Sequence, residues 1–167
     1  KNNGLSLEYV KDEFIDVEIC LEAIKINGNA LQYVKNQSRE MCVQAIKNNC
    51  WALKYVKEQD KELCLEAVKS WSGYYALQYV KIQDKEICLE AVRKYGEALR
   101  YVLEQDEEIC LEAVRKNGKA LEFVKEPTRE IIMEALKSDG EALQFIKEPT
   151  REIIIEALRS NGCALEF

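Results

Sequence analysis

The apolar positions of this chain recur in blocks. A string Ala-Leu-x-Tyr/Phe-Val/Ile begins at Ala30, Ala52, Ala76, Ala98, Ala120, Ala142 and Ala164, with a degenerate copy at Ser6. A second string follows each copy: an acidic or hydroxyl residue, then x-Glu-apolar-Cys/Ile-apolar-Glu/Gln-Ala-apolar. It is led by Asp16, Ser38, Asp60, Asp84, Asp106, Thr128 and Thr150. The spacing is 22 residues, lengthened by two near Phe14-Ile15 and again near Ser72-Gly73-Tyr74-Tyr75. The chain therefore reads as seven 22-residue units and part of an eighth, a period that signals stacked repeats.

Each unit predicts two helices. In the second, Leu63, Cys64, Ala67 and Val68 form one apolar stripe. Asp60 is placed as N-cap, Glu62 lies in the first turn and Lys69 near the end, as the helix dipole favours. Asn27-Gly28, Asn117-Gly118, Asp139-Gly140 and Asn161-Gly162 are expected to close these helices, with glycine left-handed after the cap. The first helix, such as Ala98 to Leu103, has about two turns and is too short to stand alone; part of it can be 3₁₀. Such a pair cannot bury its own apolar face, so the fold class expected is all-α: an α-solenoid, of either hand, forming a single array over 1–167.

The units resemble a tandem repeat family of unknown function found in bacterial and giant-virus proteins. Ala98 to Gly118 (A-L-R-Y-V-L-E-Q-D-E-E-I-C-L-E-A-V-R-K-N-G) carries the resemblance best. It implies an all-helical repeat array with an interaction role, and brings no catalytic residue or ligand. Cys50, where the terminal glycine is expected, and the Trp71–Tyr75 insertion depart from the motif and point to altered turns there.

Composition narrows the function classes. The 167 residues are 47% hydrophobic and 32% charged, which suits a folded soluble chain. Histidine is absent, which excludes His-based triads, His-ligated metals and imidazole bases. No phosphate-cradling glycine loop, zinc signature or nucleophile elbow occurs, so an enzyme is not expected, nor a cofactor or metal. With no apolar run of membrane-spanning length, a membrane partner is not expected either. The first residue is not Met, Lys1-Asn2-Asn3-Gly4 reads as the tail of an earlier unit, and Cys163 to Phe167 as the start of another. The expectation is a segment of a longer repeat protein.

Five cysteines, Cys20, Cys42, Cys64, Cys88 and Cys110, share a position that Ile132 and Ile154 hold in the last full units. A slot open to Cys and Ile alike asks for an apolar group. Equivalent residues on neighbouring helices, about 8–10 Å apart, are too distant for a disulfide. Cys50 and Cys163 lie in turns and are expected to be accessible. Free thiols suit a reducing, cytoplasmic compartment. The ring ladder Tyr9, Tyr33, Tyr55, Tyr79, Tyr101, Phe123, Phe145 and Phe167 is expected to pack between layers. The pairs Glu62/Glu66, Glu86/Glu90, Glu108/Glu112, Glu130/Glu134 and Glu152/Glu156 form a solvated stripe that could attract a basic partner.

Two surfaces remain as candidates. Trp51, Trp71, Tyr74, Tyr75 and Tyr95 cluster in turns off the packing positions, as interface anchors for another protein do. Lys11, Lys35, Lys57 and Lys81, continued by Lys125 and Lys147, place one cation per unit after the first helix, a candidate single-stranded nucleic-acid track. The net charge of −6 counts against nucleic acid. Residues 1–83, with 11 basic and 11 acidic side chains, would hold it better than the acidic remainder. An acidic inhibitor occupying the basic channel of a nucleic-acid-processing enzyme is a related alternative.

Overall fold

The computed structural model describes residues 4–71 and 73–160, and these contain helices and no strand. Seven longer α-helices span Val17–Ile26, Arg39–Asn48, Lys61–Lys69, Lys85–Lys94, Glu107–Lys116, Arg129–Ser138 and Arg151–Ser160. Each is preceded by a short helix. Six of these are six-residue 3₁₀ helices, for example Gly28–Tyr33 and Gly96–Tyr101. The seventh is an α-turn, Gly73–Ala76, continued as 3₁₀ over Leu77–Tyr79, and a further three-residue 3₁₀ helix, Asp12–Phe14, lies between Gly4–Tyr9 and Val17–Ile26. The short helix thus starts two residues before the Ala-Leu pair and is 3₁₀ almost throughout.

Contacts gather into two compact units, Lys1–Ile82 and Gln83–Phe167. Within the first, Val17–Ile26 packs on Arg39–Asn48 and that helix on Lys61–Lys69. Within the second, the four longer helices stack in sequence, and so do the three short ones. In both, helix pairs follow one another as in a solenoid. The stripe read from the sequence is the core: Ala and Leu of each short helix, and Cys, Ala and Ile or Val of the long one, are buried. No polar or charged side chain is buried among the described residues.

The N-caps stand where the pattern puts them. Asp16, Asp60, Asp84 and Asp106 accept from the amide three residues on at 2.8–2.9 Å. Ser38, Thr128 and Thr150 do so at 3.2–3.4 Å. The other end differs from expectation. No described glycine has positive φ. Asn27, Asn49, Asn117 and Asp139 are extended residues that end the long helix, and their side-chain oxygens cap the following short one.

Glycine is needed there for space. A Cβ on Gly28 would lie 2.4 Å from the Ala45 carbonyl oxygen, and one on Gly118 2.5 Å from that of Ala135. The short helix of each repeat rests on the last turn of the long helix that follows it in the same repeat. Cys50 holds this position and is accommodated, only 6% exposed. The helix after it ends early: Ser70 donates its amide to Ala67 at 3.2 Å and its hydroxyl to the same carbonyl at 2.7 Å. The insertion then begins. Cys50 is therefore buried rather than accessible. Cys163 lies outside the described residues.

At an ordinary φ, Gly→Ala adds about 0.4–1 kcal/mol of stability by restricting the unfolded chain. Here the carbonyl contact reverses the sign. Gly118→Ala should lower unfolding stability by about 1–3 kcal/mol in urea denaturation.

Candidate functional site

The aromatic edge is built by the first unit's irregularity. Trp51 opens the short helix Cys50–Tyr55, and Tyr75 holds the same repeat position in the next repeat. Their rings meet edge-on, centroids 5.7 Å apart at 77°. Tyr74 lies against Tyr75, centroids 3.9 Å apart. Trp51 is 42% exposed, and Trp71, in the turn after Lys61–Lys69, is 90% exposed. Trp71 borders a groove of about 300 Å³ lined also by Ile46, Lys47, Glu66, Lys69 and Ser70. Tyr95 belongs to the second unit, where it caps Lys85–Lys94 half-buried, with Lys94 Nζ 5.5 Å from its ring centre. The structure thus brings Trp51, Tyr74 and Tyr75 into ring contact and leaves most of the Trp71 surface exposed.

The lysine track has structural partners. Lys57 Nζ donates to the Lys35 carbonyl at 2.5 Å, Lys81 Nζ to that of Lys57 at 2.7 Å, and Lys125 Nζ to that of Leu103 at 2.6 Å. Each reaches back one repeat to the same position. Lys11 lies 4.0 Å from Glu13. Lys35 and Lys57 also border a groove of about 660 Å³ with Arg39 and Asp60.

The glutamate stripe is paired between repeats. Arg39 binds Asp60 and Glu62 of the following repeat. Lys85 does the same with Asp106 at 2.8 Å and Glu108 at 2.6 Å. Arg129 meets Glu152 at 2.6 Å, and Arg93 meets Glu112 at 2.7 Å. The stripe is therefore largely neutralised, a weaker lure for a basic partner than the sequence suggests. The rings of the Tyr/Phe ladder are half-buried from Tyr33 to Phe145, and Tyr9 is exposed. Cations sit between successive rings: Lys54 over Tyr55 and Tyr79, Arg100 over Tyr101 and Phe123. Phe167 lies outside the described residues.

The cysteine ladder reveals residues that the sequence reading passed over. Cys42, Cys64, Cys88 and Cys110 direct their thiols at Oε1 of Gln37, Gln59, Gln83 and Gln105, at 3.7–4.0 Å. Each glutamine is a buckle between repeats. Gln59 Nε2 donates to Leu53 O at 3.0 Å and to Tyr79 O at 2.9 Å, while its Oε1 accepts the Lys81 amide at 3.0 Å. Gln37 and Gln105 repeat the arrangement. The signal was present: where Cys gives way to Ile132 and Ile154, the glutamine five residues earlier gives way to Pro127 and Pro149.

The family of unknown function denoted DUF4116 matches residues 1–37, 38–83, 60–105, 84–127 and 128–167, which together cover the chain. The chain belongs to the DUF4116 family. Each DUF4116 match spans about two of the 22-residue units, so the family's unit contains the interface between repeats. No curated protein and no solved structure matches this DUF4116 array. No helix among the described residues is long and apolar enough to cross a membrane.

Removing one buckle should show what it carries. Gln59→Ala strands the Tyr79 carbonyl and the Lys81 amide, while Leu53 O keeps the Val56 amide, and should cost about 2–3 kcal/mol. Gln32→Ala, an exposed glutamine bonded only to its own turn, should stay within about 0.5 kcal/mol of the parent. A second test uses pH. Burial, reinforced by Asp84 and Asp106, pushes the Cys88 thiol up to about 11 from 9.0, and burial raises Cys20, Cys42 and Cys110 as well. The unfolded thiols ionise first, so stability present below pH 9 should fall as pH climbs toward 11. Urea midpoints measured across that range should drop, and Cys88→Val should drop less.

Proposed function

We propose that this array acts by binding another protein, not by catalysis, and that the Trp51, Trp71, Tyr74 and Tyr75 edge is its anchor, with Tyr95 a further contact. One observation carries the reading: Trp71 is 90% exposed at the rim of a groove, three residues before the Tyr74–Tyr75 pair that meets Trp51. Keeping a large indole in water is unfavourable. Trp and Tyr are the side chains that most often dominate binding energy once a partner excludes water from them. The partner is one that offers an apolar pocket or ridge, and Lys47 and Glu66 at the groove rim supply polar register.

The recurrent positions support this choice. The lysines at 57, 81 and 125 spend a donor on backbone carbonyls, and the glutamates pair with the neighbouring repeat. These regular features serve the array, which leaves recognition to residues that do not recur. The nucleic-acid alternative rests on the same lysines, and steeply salt-dependent binding to a single strand would favour it. Free, buried thiols suit a reducing compartment, so we place the protein in the cytoplasm.

Trp71→Ala should leave the unfolding midpoint unchanged while weakening partner binding about 30-fold, the equivalent of a hot-spot loss near 2 kcal/mol. Tyr75→Ala should act in the same direction. If both variants fold as the parent and bind co-purifying proteins as well, the anchor assignment is wrong.

A further inference from the structure

We infer that the last full repeat carries an open receptor for a primary carboxamide, the side chain of a glutamine or asparagine on a partner protein. It lies in the second unit and owes nothing to the aromatic edge. Its outline comes from the copies in which the chain fills it. A glutamine amide group there meets a Leu carbonyl of its own repeat. It also meets a carbonyl and an amide of the next repeat that flank one extended residue. For Gln37 these are Leu31, Tyr55 and Lys57; for Gln105 they are Leu99, Phe123 and Lys125. The distances to the next repeat, 2.9 Å to the carbonyl and 3.0 Å to the amide, hold at Gln37, Gln59, Gln83 and Gln105 alike.

In the following repeat the corresponding groups are Leu121 O, Phe145 O and Lys147 N. Ile146 between the last two is extended, with φ −104° and ψ 111°, against φ −68° to −75° and ψ 118° to 121° at Val56, Val80, Val102 and Val124. Carbonyl and amide flanking an extended residue point to the same side. Pro127 takes the glutamine's place, and proline has neither a side-chain amide nor a backbone N–H. Among the described residues nothing meets Phe145 O or Lys147 N. Ile132, in the place of the cysteine, also removes the thiol that would approach the missing oxygen.

The chemistry selects the guest. Two acceptors and one donor call for two N–H groups and one carbonyl oxygen. A primary carboxamide has both N–H groups on one nitrogen, whereas a peptide amide has one. A Gln or Asn side chain therefore fits better than a strand of backbone. A partner already tethered elsewhere on the array would present it at high effective concentration, so weak intrinsic affinity is sufficient.

The filled copies are internal controls. In ¹⁵N-labelled protein, acetamide should shift the Lys147 amide resonance in a saturable way and leave those of Lys57, Lys81, Leu103 and Lys125 in place. N-methylacetamide, with one N–H, should shift it less. Hydrogen exchange at Lys147 should be at least about tenfold faster than at the four buckled amides. The double variant Pro127→Gln with Ile132→Cys should fill the slot, abolish the acetamide response and slow exchange at Lys147 to the level of the others. Equal shifts at all five amides, no shift at Lys147, or a Lys147 amide already as protected as the buckled four would each overturn the assignment.

Discussion

The whole arrangement depends on backbone polar groups that short helices leave without partners. A six-residue 3₁₀ helix satisfies few of its own amides and carbonyls, and a ten-residue α-helix few more. Neither is stable alone in water. The missing bonds are supplied across the repeat boundary. Glutamine carboxamides join Leu53 O, Tyr79 O and the Lys81 amide. Lysine ammonium groups take up the carbonyls one repeat back. Stability therefore sits between neighbours more than within a unit, as in other linear arrays. A change at one position is felt at the next boundary.

Close approach is the second constraint, and it explains the repeat's glycine. The contact between Gly118 and the Ala135 carbonyl leaves no room for a methyl group. Small residues at this contact let the short helix lie directly on the end of its own repeat's long helix, keeping the two layers in register without long side chains between them. When Cys50 enters this position, the following helix shortens and its last carbonyl is taken by Ser70.

The period, the helix pair, the caps and the core stripe were legible because each has a local cause: a capping side chain, an apolar face, a spacing. The glycine's role was misread because a cap and a steric contact demand the same residue, and only the packing of the short helix on the following long helix tells them apart. The glutamine buckle was missed because glutamine between helices resembles any polar loop residue. Its pairing with cysteine five residues on, and the joint change to Pro127 and Ile132, was the available signal. The exposure of Trp71 was legible as an aromatic off the packing pattern. Its ring contacts were not, since the Trp51–Tyr75 approach spans 24 positions and depends on how the insertion folds.

A repeat array divides its residues by recurrence. A position that keeps its chemistry in every copy answers a demand present at every boundary, and the structure finds that demand: Ala and Leu for the core, Glu62 and Glu108 for the cation one repeat back, Lys81 and Lys125 for a carbonyl. Such residues are committed before any ligand arrives. On the proposed reading, recognition would fall to copies that break the rule, where a large side chain is exposed, as at Trp71, or where the buckling glutamine is replaced, as at Pro127. The two breaks are opposite in kind. One adds apolar surface that water disfavours, and the other opens polar groups that water satisfies. The first supplies affinity through area. The second supplies register through directed hydrogen bonds.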